Sequence, residues 1–521
     1  MIRSLVEFRK PLLHTAHVRL ACLMLAVSLS LSGASGAEPP RSGHALAQIH
    51  CQRCHSLPAP ELLGKEEWRQ VLKRMAPFLG IARLNFDARP DGDDLKASGL
   101  FPAQPLISSD DWTALMAYYI DAAPNDVATQ PARPKAQKLE LFRPRELVFS
   151  TDAPCTSLLQ VDSRAGGLWV GDAQAKTLTL CGADGKVKRR IATDSAPISI
   201  INEPDKLWVA LIGRILPSDE RLGQVWELNP KDKTWTPTGL LSGLRRPVEM
   251  HRLDMDGDNN KDLLVASFGN VLGRLSWFSG VGRRDARPQE HSLQEIAGSV
   301  QCGVHDWNGD GRPDLTVLRA QGLECVEIYF NQGGGAFAMK RVIEFPPAYG
   351  SCRLELADFD SDNIPELIVV NGDKGDYACG SRGYHGVRIF QQTAPEKFTE
   401  RFFFPLYGAY GAKAADFDND GDLDLALISF FPDYDRAPDE GFVYLRNDGK
   451  WRFQPFVIEQ SKLGRWIVLD AGDIDGDKDV DIVLGSFVRG PRTIQIPPSV
   501  ERQWETQRLS VLLLENTLGT R

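Results

Sequence analysis

This 521-residue chain lacks an excess of positive charge, since 60 Lys and Arg residues are set against 69 Asp and Glu residues and the net charge at pH 7 is −9. Such a balance argues against nucleic acids and anionic membrane surfaces as partners. The chain also has no phosphate-binding loop, no Ser-His-Asp order and no histidine-rich cluster. The sequence therefore predicts no nucleic-acid partner and offers no recognisable catalytic motif.

Long apolar runs are also missing beyond the first 37 residues. The run Leu20–Leu31 follows four basic residues and is too short to span a membrane. It precedes the small residues Ser35–Ala37, which lie at the positions a signal peptidase reads. We therefore predict that residues 1–37 are a signal peptide. The mature chain is expected to have no membrane span and to be exported to the periplasm or outer cell surface of a bacterium.

Cysteine is sparse, at nine residues, but two of them form the motif Cys51-Gln-Arg-Cys54-His55. Cys-x-x-Cys-His is the attachment signature of c-type haem, in which two thiolates add to the haem and the histidine ligates the iron. A small disulfide and half of a zinc site are the alternatives. A zinc site would need a second ligand pair, and no other Cys-x-x-Cys is present. The motif predicts one covalent haem c, attached through Cys51 and Cys54, with His55 as an iron ligand.

Two helical periodicities follow the motif, one ending at Met75 and one running from Trp112 to Tyr119. So short a helical segment around one haem resembles a small mono-haem cytochrome c domain, which we assign to residues 38–121. The stretch from Trp68 to Met75 is similar to the distal segment of short periplasmic cytochromes. Met75 is therefore the predicted second iron ligand, because a thioether is a usual partner in electron-transfer haems. Met116, a histidine (His44 or His50) or an open position remain alternatives.

Residues 122–138 are rich in Pro and Ala and have almost no large apolar side chains, as is typical of a linker. The remainder, residues 139–521, repeats an acidic pattern five times at intervals of 52 to 58 residues. Acids or Asn occupy positions 1, 3, 5 and 9, and an apolar strand follows each final acid. A strand, an acidic turn and a strand, repeated at this period, predict the blades of a β-propeller. The five turns are Asp254-Asp256-Asp258-Asp262, Asp306-Asn308-Asp310-Asp314, Asp358-Asp360-Asp362-Glu366, Asp416-Asp418-Asp420-Asp424 and Asp473-Asp475-Asp477-Asp481.

The acidic turns have the composition of calcium sites. Carboxylates at this spacing converge oxygen atoms, which are the ligands calcium prefers. A solvated acidic hairpin would explain one such turn but not five in register. The turns resemble the FG-GAP or VCBS repeats of integrin-type propellers, closely over residues 250–521 and loosely over 150–250. That resemblance implies three to five calcium ions with a structural role.

The repeat also predicts the number of blades. Residues 155–250 hold two further units without acidic turns, which makes seven, with six or eight as alternatives. The last unit ends at its third strand, Val511–Asn516, and the segment Leu139–Phe149 is available to supply the fourth. Closing the ring with this N-terminal strand would remove exposed sheet edges.

Six cysteines lie outside the haem motif and the first 37 residues, and an even number in an exported protein suggests disulfides. Fifteen connectivities are possible for six cysteines. The most economical pairs are Cys302–Cys325 and Cys352–Cys379, which leaves Cys155–Cys181.

Polar and aromatic residues are expected where each inner strand begins, around one mouth of the central channel. They would suit a polar or anionic ligand such as a sugar, although ordinary blade packing explains them equally well. The candidates are Arg246, Tyr349, Tyr410, Arg465 and Trp466.

The whole chain resembles exported cytochrome c–VCBS repeat proteins. The resemblance implies a multidomain fold, with a small all-α haem domain and an all-β propeller, and a role in electron transfer. The propeller would dock a redox partner protein or bind a small polar ligand. One alternative is a haem-coupled dehydrogenase that oxidises a sugar or alcohol in the propeller funnel. A surface binding or adhesion module is the other.

Overall fold

The structure is a computed structural model that describes residues 41–127, 129–149, 152–283, 287–375, 380 and 382–518. The predicted signal peptide, residues 1–37, lies outside this range, and so does Cys379. Among the described residues, no helix combines the length and the apolar character that a membrane span requires.

A short helical segment precedes the strands. Ser42 caps the first helix by accepting a hydrogen bond from the Ala45 amide at 3.2 Å, and Ser108 caps the fourth in the same way. Trp68 and Leu72 of the predicted apolar stripe are buried, and the Trp68 ring stacks on Tyr119 with centroids 4.2 Å apart. The α-helices of this segment are α1 (Gly43–His50), α2 (Lys65–Met75), α3 (Gly92–Ala97) and α4 (Ser109–Ala122), and its 3₁₀ turns are Pro60–Leu62, Ala76–Leu79 and Phe86–Ala88.

The rest of the described chain is built from strands, with one late helix, α5 (Pro498–Gln507), and a 3₁₀ turn, Glu459–Leu463. In chain order the strands are β1 (Gln137–Lys138), β2 (Phe142–Leu147), β3 (Thr156–Asp162), β4 (Gly167–Asp172), β5 (Thr177–Gly182), β6 (Val187–Ala192), β7 (Pro197–Glu203), β8 (Lys206–Leu211), β9 (Gly223–Leu228), β10 (Thr238–Leu244), β11 (Pro247–Leu253), β12 (Asp262–Ser267), β13 (Arg274–Ser279), β14 (Gln289–Gln294), β15 (Ser299–His305), β16 (Asp314–Gln321), β17 (Leu323–Gly333), β18 (Ala336–Phe345), β19 (Ser351–Ala357), β20 (Glu366–Asn371), β21 (Gly386–Ala394), β22 (Lys397–Pro405), β23 (Ala409–Ala415), β24 (Asp424–Ser429), β25 (Phe442–Asn447), β26 (Phe453–Val457), β27 (Trp466–Gly472), β28 (Asp481–Ser486) and β29 (Val511–Asn516).

The strands form seven antiparallel sheets, which are the blades of a β-propeller, and the predicted number is confirmed. Blades I to VI are β3–β6, β7–β10, β11–β14, β15–β18, β19–β22 and β23–β26, and blade VII contains β27, β28 and β29. The first strands of neighbouring blades contact each other and surround the central channel. In five of the seven blades the second strand is buried along its whole length, because it faces neighbouring blades on both sides.

An N-terminal strand closes the ring, as predicted. β2 pairs antiparallel with β29 over six residues and becomes the outermost strand of blade VII. The end of the predicted linker is also structured, since β1 adds a parallel fifth strand to blade VI at β26. Arg133 of the linker pairs with Glu440 and lies over the Phe404 ring. The linker is therefore anchored along the propeller at these points.

Antiparallel strands give the propeller two distinct faces. The turn face carries the loops between the first and second strands, which include all five acidic turns. The entry face carries the loops between the second and third strands and the connections from one blade to the next. The inner strands begin on the entry face, at the mouth where the sequence predicted a ligand.

Candidate functional site

The Cys-x-x-Cys-His motif lies directly after α1. The Cys51 amide donates to the Ala47 carbonyl and ends the helix, and the Cys51 side chain packs against the helical core. Burial raises the pKa of the Cys51 thiol, whereas Cys54 is exposed. The Nδ1 atom of His55 lies 2.8 Å from the Ser56 carbonyl oxygen. Because a carbonyl only accepts, the neutral ring in this contact has its proton on Nδ1, which leaves the Nε2 lone pair for a metal.

The candidates for the second iron ligand occupy different environments. Met75 is the last residue of α2 and is half-buried, while Met116 packs against the helical core. His44 is exposed and makes an edge contact with the Tyr118 ring. Met75 stays the predicted ligand, because Met116 and His44 already have these packing contacts.

Apolar side chains lie exposed near both ligand positions. Ile49, two residues before Cys51, is 45% exposed, and Leu106 is 43% exposed. The Leu106 amide donates to the carbonyl of Leu79, four residues beyond Met75. A porphyrin is a largely apolar ring that could cover such side chains. The residues present therefore fit a covalent haem.

In the acidic turns, the carboxylates at positions 1, 3 and 9 converge. In four of the five turns, one oxygen atom from each of these three side chains lies within 4.8 Å of the others. The four groups are Asp254-Asp256-Asp262, Asp358-Asp360-Glu366, Asp416-Asp418-Asp424 and Asp473-Asp475-Asp481. Three like charges this close oppose one another, and a divalent cation would neutralise them.

The acid at position 5 lies outside these three-member groups, and its place among the calcium ligands stays a prediction. Asp258 accepts a hydrogen bond from the Asn260 amide at 2.8 Å, and the same short turn recurs at Asp362, Asp420 and Asp477. An aspartate commonly forms this local bond to the amide two residues ahead, which turns its side chain toward its own loop.

The remaining turn, Asp306–Asp314, differs because Asn308 replaces the acid at position 3. Arg312 of the same turn pairs with Asp310, and the Arg312 Nε atom donates to the Asn331 carbonyl at 2.7 Å. A guanidinium thus already neutralises part of the local negative charge. This turn is the weakest candidate of the five.

The acid at position 9 is buried in every turn and begins the second strand of its blade. Asp481, for example, accepts the Ile474 amide at 3.1 Å and the Asn516 amide at 2.8 Å, so it joins the turn to the third strand. Burial, with the neighbouring carboxylates, raises the pKa of Asp262 and Asp481 to about 6 and that of Glu366 and Asp424 to about 7. These groups carry their negative charge at an energetic cost unless a cation is present.

All five turns also share one backbone feature. The residue at position 6 has a positive φ in each turn, at Asn259, Gly311, Asn363, Gly421 and Lys478. Its amide donates to the carboxylate at position 1, for example from Gly311 to Asp306 at 2.7 Å. Gly and Asn tolerate this left-handed conformation, whereas Lys478, with φ +76°, is strained.

The funnel residues predicted from the sequence divide into two groups. Trp466 is fully buried between blades and its Nε1 atom donates to the Ser461 carbonyl at 2.6 Å, so its place in the funnel was wrong. Arg465 is 1% exposed, and its guanidinium donates to the carbonyls of Phe430 and Pro491. Both side chains turn into the protein because large groups at the start of an inner strand fill the space between blades.

The other three funnel candidates are half-buried. Arg246 donates to the carbonyls of Gly269 and Ile215, at 2.6 and 3.0 Å. Tyr349 stacks on Tyr384 with the ring planes 4° apart. Burial raises the pKa of Tyr410, which packs beside Phe430. Each therefore has a packing or backbone partner, in agreement with the blade-packing alternative, and a ligand at these residues stays a prediction.

The economical disulfide assignment was wrong for the described cysteines, which are free. Cys302 lies in the first strand of blade IV and Cys325 in the third, with β16 between them. Two strand spacings amount to about 9–10 Å, more than a disulfide can bridge. Cys155 and Cys181 are separated in the same way by β4. The partner proposed for Cys352, Cys379, lies outside the described residues.

The helical segment packs against the entry face. The Ser56 hydroxyl, next to the haem motif, donates to the Phe345 carbonyl at 3.2 Å. Arg382, 2% exposed, pairs with Glu67 of α2 at 2.6 Å. On the far side, Asp94 of α3 pairs with both Arg221 and Arg245.

These contacts lower the pKa values of the two carboxylates, Glu67 and Asp94. Burial would raise the pKa of Glu67, but the hydrogen bond and charge of Arg382 hold it below its usual value. The Arg221 hydrogen bond likewise lowers the pKa of Asp94. Sequence analysis missed these residues, because single charges in loops of unequal length carry no repeat signal.

Comparison with known proteins agrees with the repeat. The FG-GAP-like repeat family model matches residues 254–317 and 306–369. The chain is similar to solved structures of BBS1N in complex with ARL6DN, at 10% identity and a TM-score of 0.42 over 73% of this chain and 98% of that one. It is also similar to Saccharomyces cerevisiae Sqt1, at 12% identity and a TM-score of 0.41 over 69% of this chain and 83% of that one. No curated protein matches the chain significantly. The chain is thus a seven-bladed β-propeller with FG-GAP repeats, preceded by a small helical segment.

Proposed function

We propose that this protein is an exported c-type haem electron-transfer protein, whose calcium-stabilised propeller docks a redox partner or binds a small polar ligand. The observation that carries the proposal is the motif at the end of α1. Cys51 ends α1, Cys54 lies exposed in the turn that follows, and the Nδ1 atom of His55 lies 2.8 Å from the Ser56 carbonyl oxygen. When bound, haem would supply a centre that accepts and donates single electrons.

Each motif residue has a separate part. The thiols of Cys51 and Cys54 would attach the haem, and the Nε2 atom of His55 would ligate its iron. The Ser56 carbonyl holds the His55 ring through Nδ1, and the Ser56 hydroxyl ties the motif to the propeller at Phe345. This tie supports the view that the propeller takes part in what the haem reacts with.

A pyridine haemochrome spectrum of the purified protein tests the haem. We expect a c-type band in the wild type and in Cys352→Ser, a control that alters a thiol within the propeller. The double variant Cys51→Ser/Cys54→Ser should lose covalent haem. Wild-type protein without the band, or covalent haem that survives in the double variant, contradicts the proposal.

Met75 is the proposed second ligand. Ferric haem c with a thioether ligand has a weak far-red absorbance band. We expect Met75→Ala to lose this band and Met116→Ala, the matched control in α4, to keep it. The reverse result would assign the ligand to Met116.

The acidic turns are proposed to bind three to five calcium ions with a structural role. Support comes from the four convergent carboxylate groups and from the raised pKa values of their buried acids. Metal analysis after dialysis against micromolar calcium should find at least three ions per chain. A calcium-free result would leave the turns as solvated acidic hairpins.

A haem-coupled dehydrogenase is the second candidate, and one observation favours it. The helical segment contacts the entry face, on which the inner strands begin, so a substrate bound there would lie on the same side as the haem motif. Anaerobic mixing of oxidised protein with a panel of sugars and alcohols tests this candidate. Reduction of the haem by one of them supports it, and no reduction by any leaves electron transfer to a partner protein.

A further inference from the structure

A cavity of about 430 Å³ lies between α2 and two long loops of the entry face. One wall is formed by Glu66, Glu67 and Gln70 of α2. The opposite wall comes from the loops 430–441 of blade VI and 487–510 of blade VII, which are longer than the equivalent loop 268–273 of blade III. A cavity of this size at a junction of two parts of a fold is a typical place for a small ligand.

Two hydroxyl groups at this cavity lack partners. Tyr434 lines it and is only 9% exposed, yet its hydroxyl has no hydrogen-bond partner among the described residues. The hydroxyl of Thr493, on the neighbouring loop, is also buried and also lacks a hydrogen-bond partner among the described residues. Both oxygen atoms have almost no accessible surface, so the two hydroxyls lie behind the cavity wall and the ligand contacts must come from the exposed lining.

The charges of the lining are already balanced within the protein. Glu67 pairs with Arg382, and Glu66 pairs with Arg69 at 2.9 Å. Asp433 accepts the amides of Asp435 and Arg436 of its own loop. The cavity therefore does not require a cationic ligand, and Lys374 in its wall opposes one.

What the lining offers instead is a mixture of donors, acceptors and apolar surface. Gln70 and Gln495 provide amides that both donate and accept, and Asp435 accepts. Phe431, Pro432 and Ile494 add apolar surface. Hydroxyl groups that donate and accept, next to C–H faces that pack on apolar side chains, are the chemistry of a sugar.

We infer that this cavity binds a neutral saccharide of one or two units. The inference deepens the ligand-binding part of the proposed function and places the ligand between α2 and blades VI and VII rather than at the predicted funnel residues. Gln70 of α2 and Asp435 of the blade VI loop hold the sugar from opposite walls, and Gln495 offers a further amide.

Titration calorimetry on the full mature protein tests the inference, with D-glucose, D-galactose, D-mannose and cellobiose as probes. We expect saturable binding of at least one sugar at one site per chain. Gln70→Ala and Asp435→Asn should each weaken it about tenfold, as loss of a hydrogen bond to a buried ligand does. Lys73→Ala, on α2 but outside the cavity, and Asp448→Asn, an exposed acid on the turn face, are the controls and should leave it unchanged.

Putrescine and citrate are included as a cation and an anion. Binding of either without any sugar, sugar binding that ignores both cavity variants, or no binding of the whole panel overturns the inference. The haem absorbance of the same samples reports on the redox proposal separately. A protein with normal haem and no sugar binding would therefore contradict the cavity assignment alone.

Discussion

The two faces of this propeller differ in their loops, which are repeated on the turn face and irregular on the entry face. The turn face repeats one acidic loop five times, with the same left-handed residue and the same buried acid in every turn and convergent carboxylates in four of them. The entry face differs in every blade, and its loops hold the helical segment through single ion pairs such as Glu67–Arg382. The repeated face is suited to stiffening the ring, whereas the irregular face is suited to specific recognition.

Blades I and II sharpen the comparison, because they form complete four-stranded sheets without acidic turns. The turn of blade I is closed by Asp162, which accepts the Ala165 amide and the Trp169 Nε1 atom. A carboxylate cluster is therefore not needed to fold a blade. If the acidic turns bind calcium, the ions add stability to blades III–VII without defining the blade.

Calcium removal should have the largest effect and should separate the two faces. Each site occupied at 100 times its dissociation constant adds about 2.7 kcal/mol to the folded state, and several sites together should shift the melting temperature strongly. Hydrogen-exchange mass spectrometry with and without chelator should show faster exchange in the five acidic turns and unchanged exchange in the entry-face loop 268–273 of blade III. Equal loss of protection on both faces would break the comparison.

The ion pair on the entry face should have the next largest effect. Glu67→Ala removes a carboxylate from the buried Arg382 guanidinium and should destabilise the protein by about 3 kcal/mol in denaturant unfolding. The matched control is Glu66→Ala, an exposed neighbour paired with Arg69, which should cost less than about 0.5 kcal/mol. Similar losses in the two variants would mean that the helical segment does not depend on this contact.

The pH dependence of the calcium-free protein has a definite sign. The buried acids of the turns have raised pKa values in the fold, so the protonated form is favoured there. Their stabilising contribution is complete below the unfolded-state pKa of about 4 and is lost as pH rises through about 6 to 7. In chelator, the melting temperature should therefore fall between pH 5 and 7.5, whereas calcium should reduce or abolish this fall.

The substitution Asp262→Asn tests, at a single residue, whether a buried charge destabilises the calcium-free protein. It removes a charge whose burial is costly, so in chelator at pH 7.5 the variant should melt at or above the wild-type temperature. With calcium it should melt below the wild type, because a ligand is lost. Asp258→Asn, at the position that does not join the cluster, is the control, and an equal calcium-dependent loss there would show that position 5 binds the ion after all.

The smallest predicted effect is an increase in the stability of the folded protein. Lys478→Gly relieves a left-handed backbone at position 6 of the last acidic turn and should stabilise the protein by up to about 1 kcal/mol. Lys450→Gly, at φ +55° in a different loop of the turn face, is a comparison that removes similar strain without touching an acidic turn. A loss of stability in Lys478→Gly would mean that the lysine side chain contributes more than its backbone costs.

The repeated face could be predicted from the sequence and the irregular face could not. Five acidic turns in register set the blade period, and the missing fourth strand of the last unit pointed to Leu139–Phe149, of which β2 pairs with β29. Trp466 was misplaced, because the start of a strand does not say whether a large side chain faces the central channel or fills the space between blades.

The irregular face depends on contacts between residues far apart in the chain. Glu67 and Arg382 are separated by more than 300 residues, and no local pattern relates them. The cavity likewise forms only where α2 lies opposite the loops of blades VI and VII. The unequal length of the loops 430–441 and 487–510 was the one signal in the sequence that could have directed attention to this cavity.

The central claim is that the helical segment brings a covalent haem to the entry face of the propeller. Mass spectrometry of the intact exported protein, followed by peptide mapping, tests it most directly. The account predicts the mass of one haem added to the mature chain and carried by the peptide that contains Cys51, Cys54 and His55. A mature chain with no added mass, or with both thiols of that peptide free after export in a haem-competent host, would contradict it.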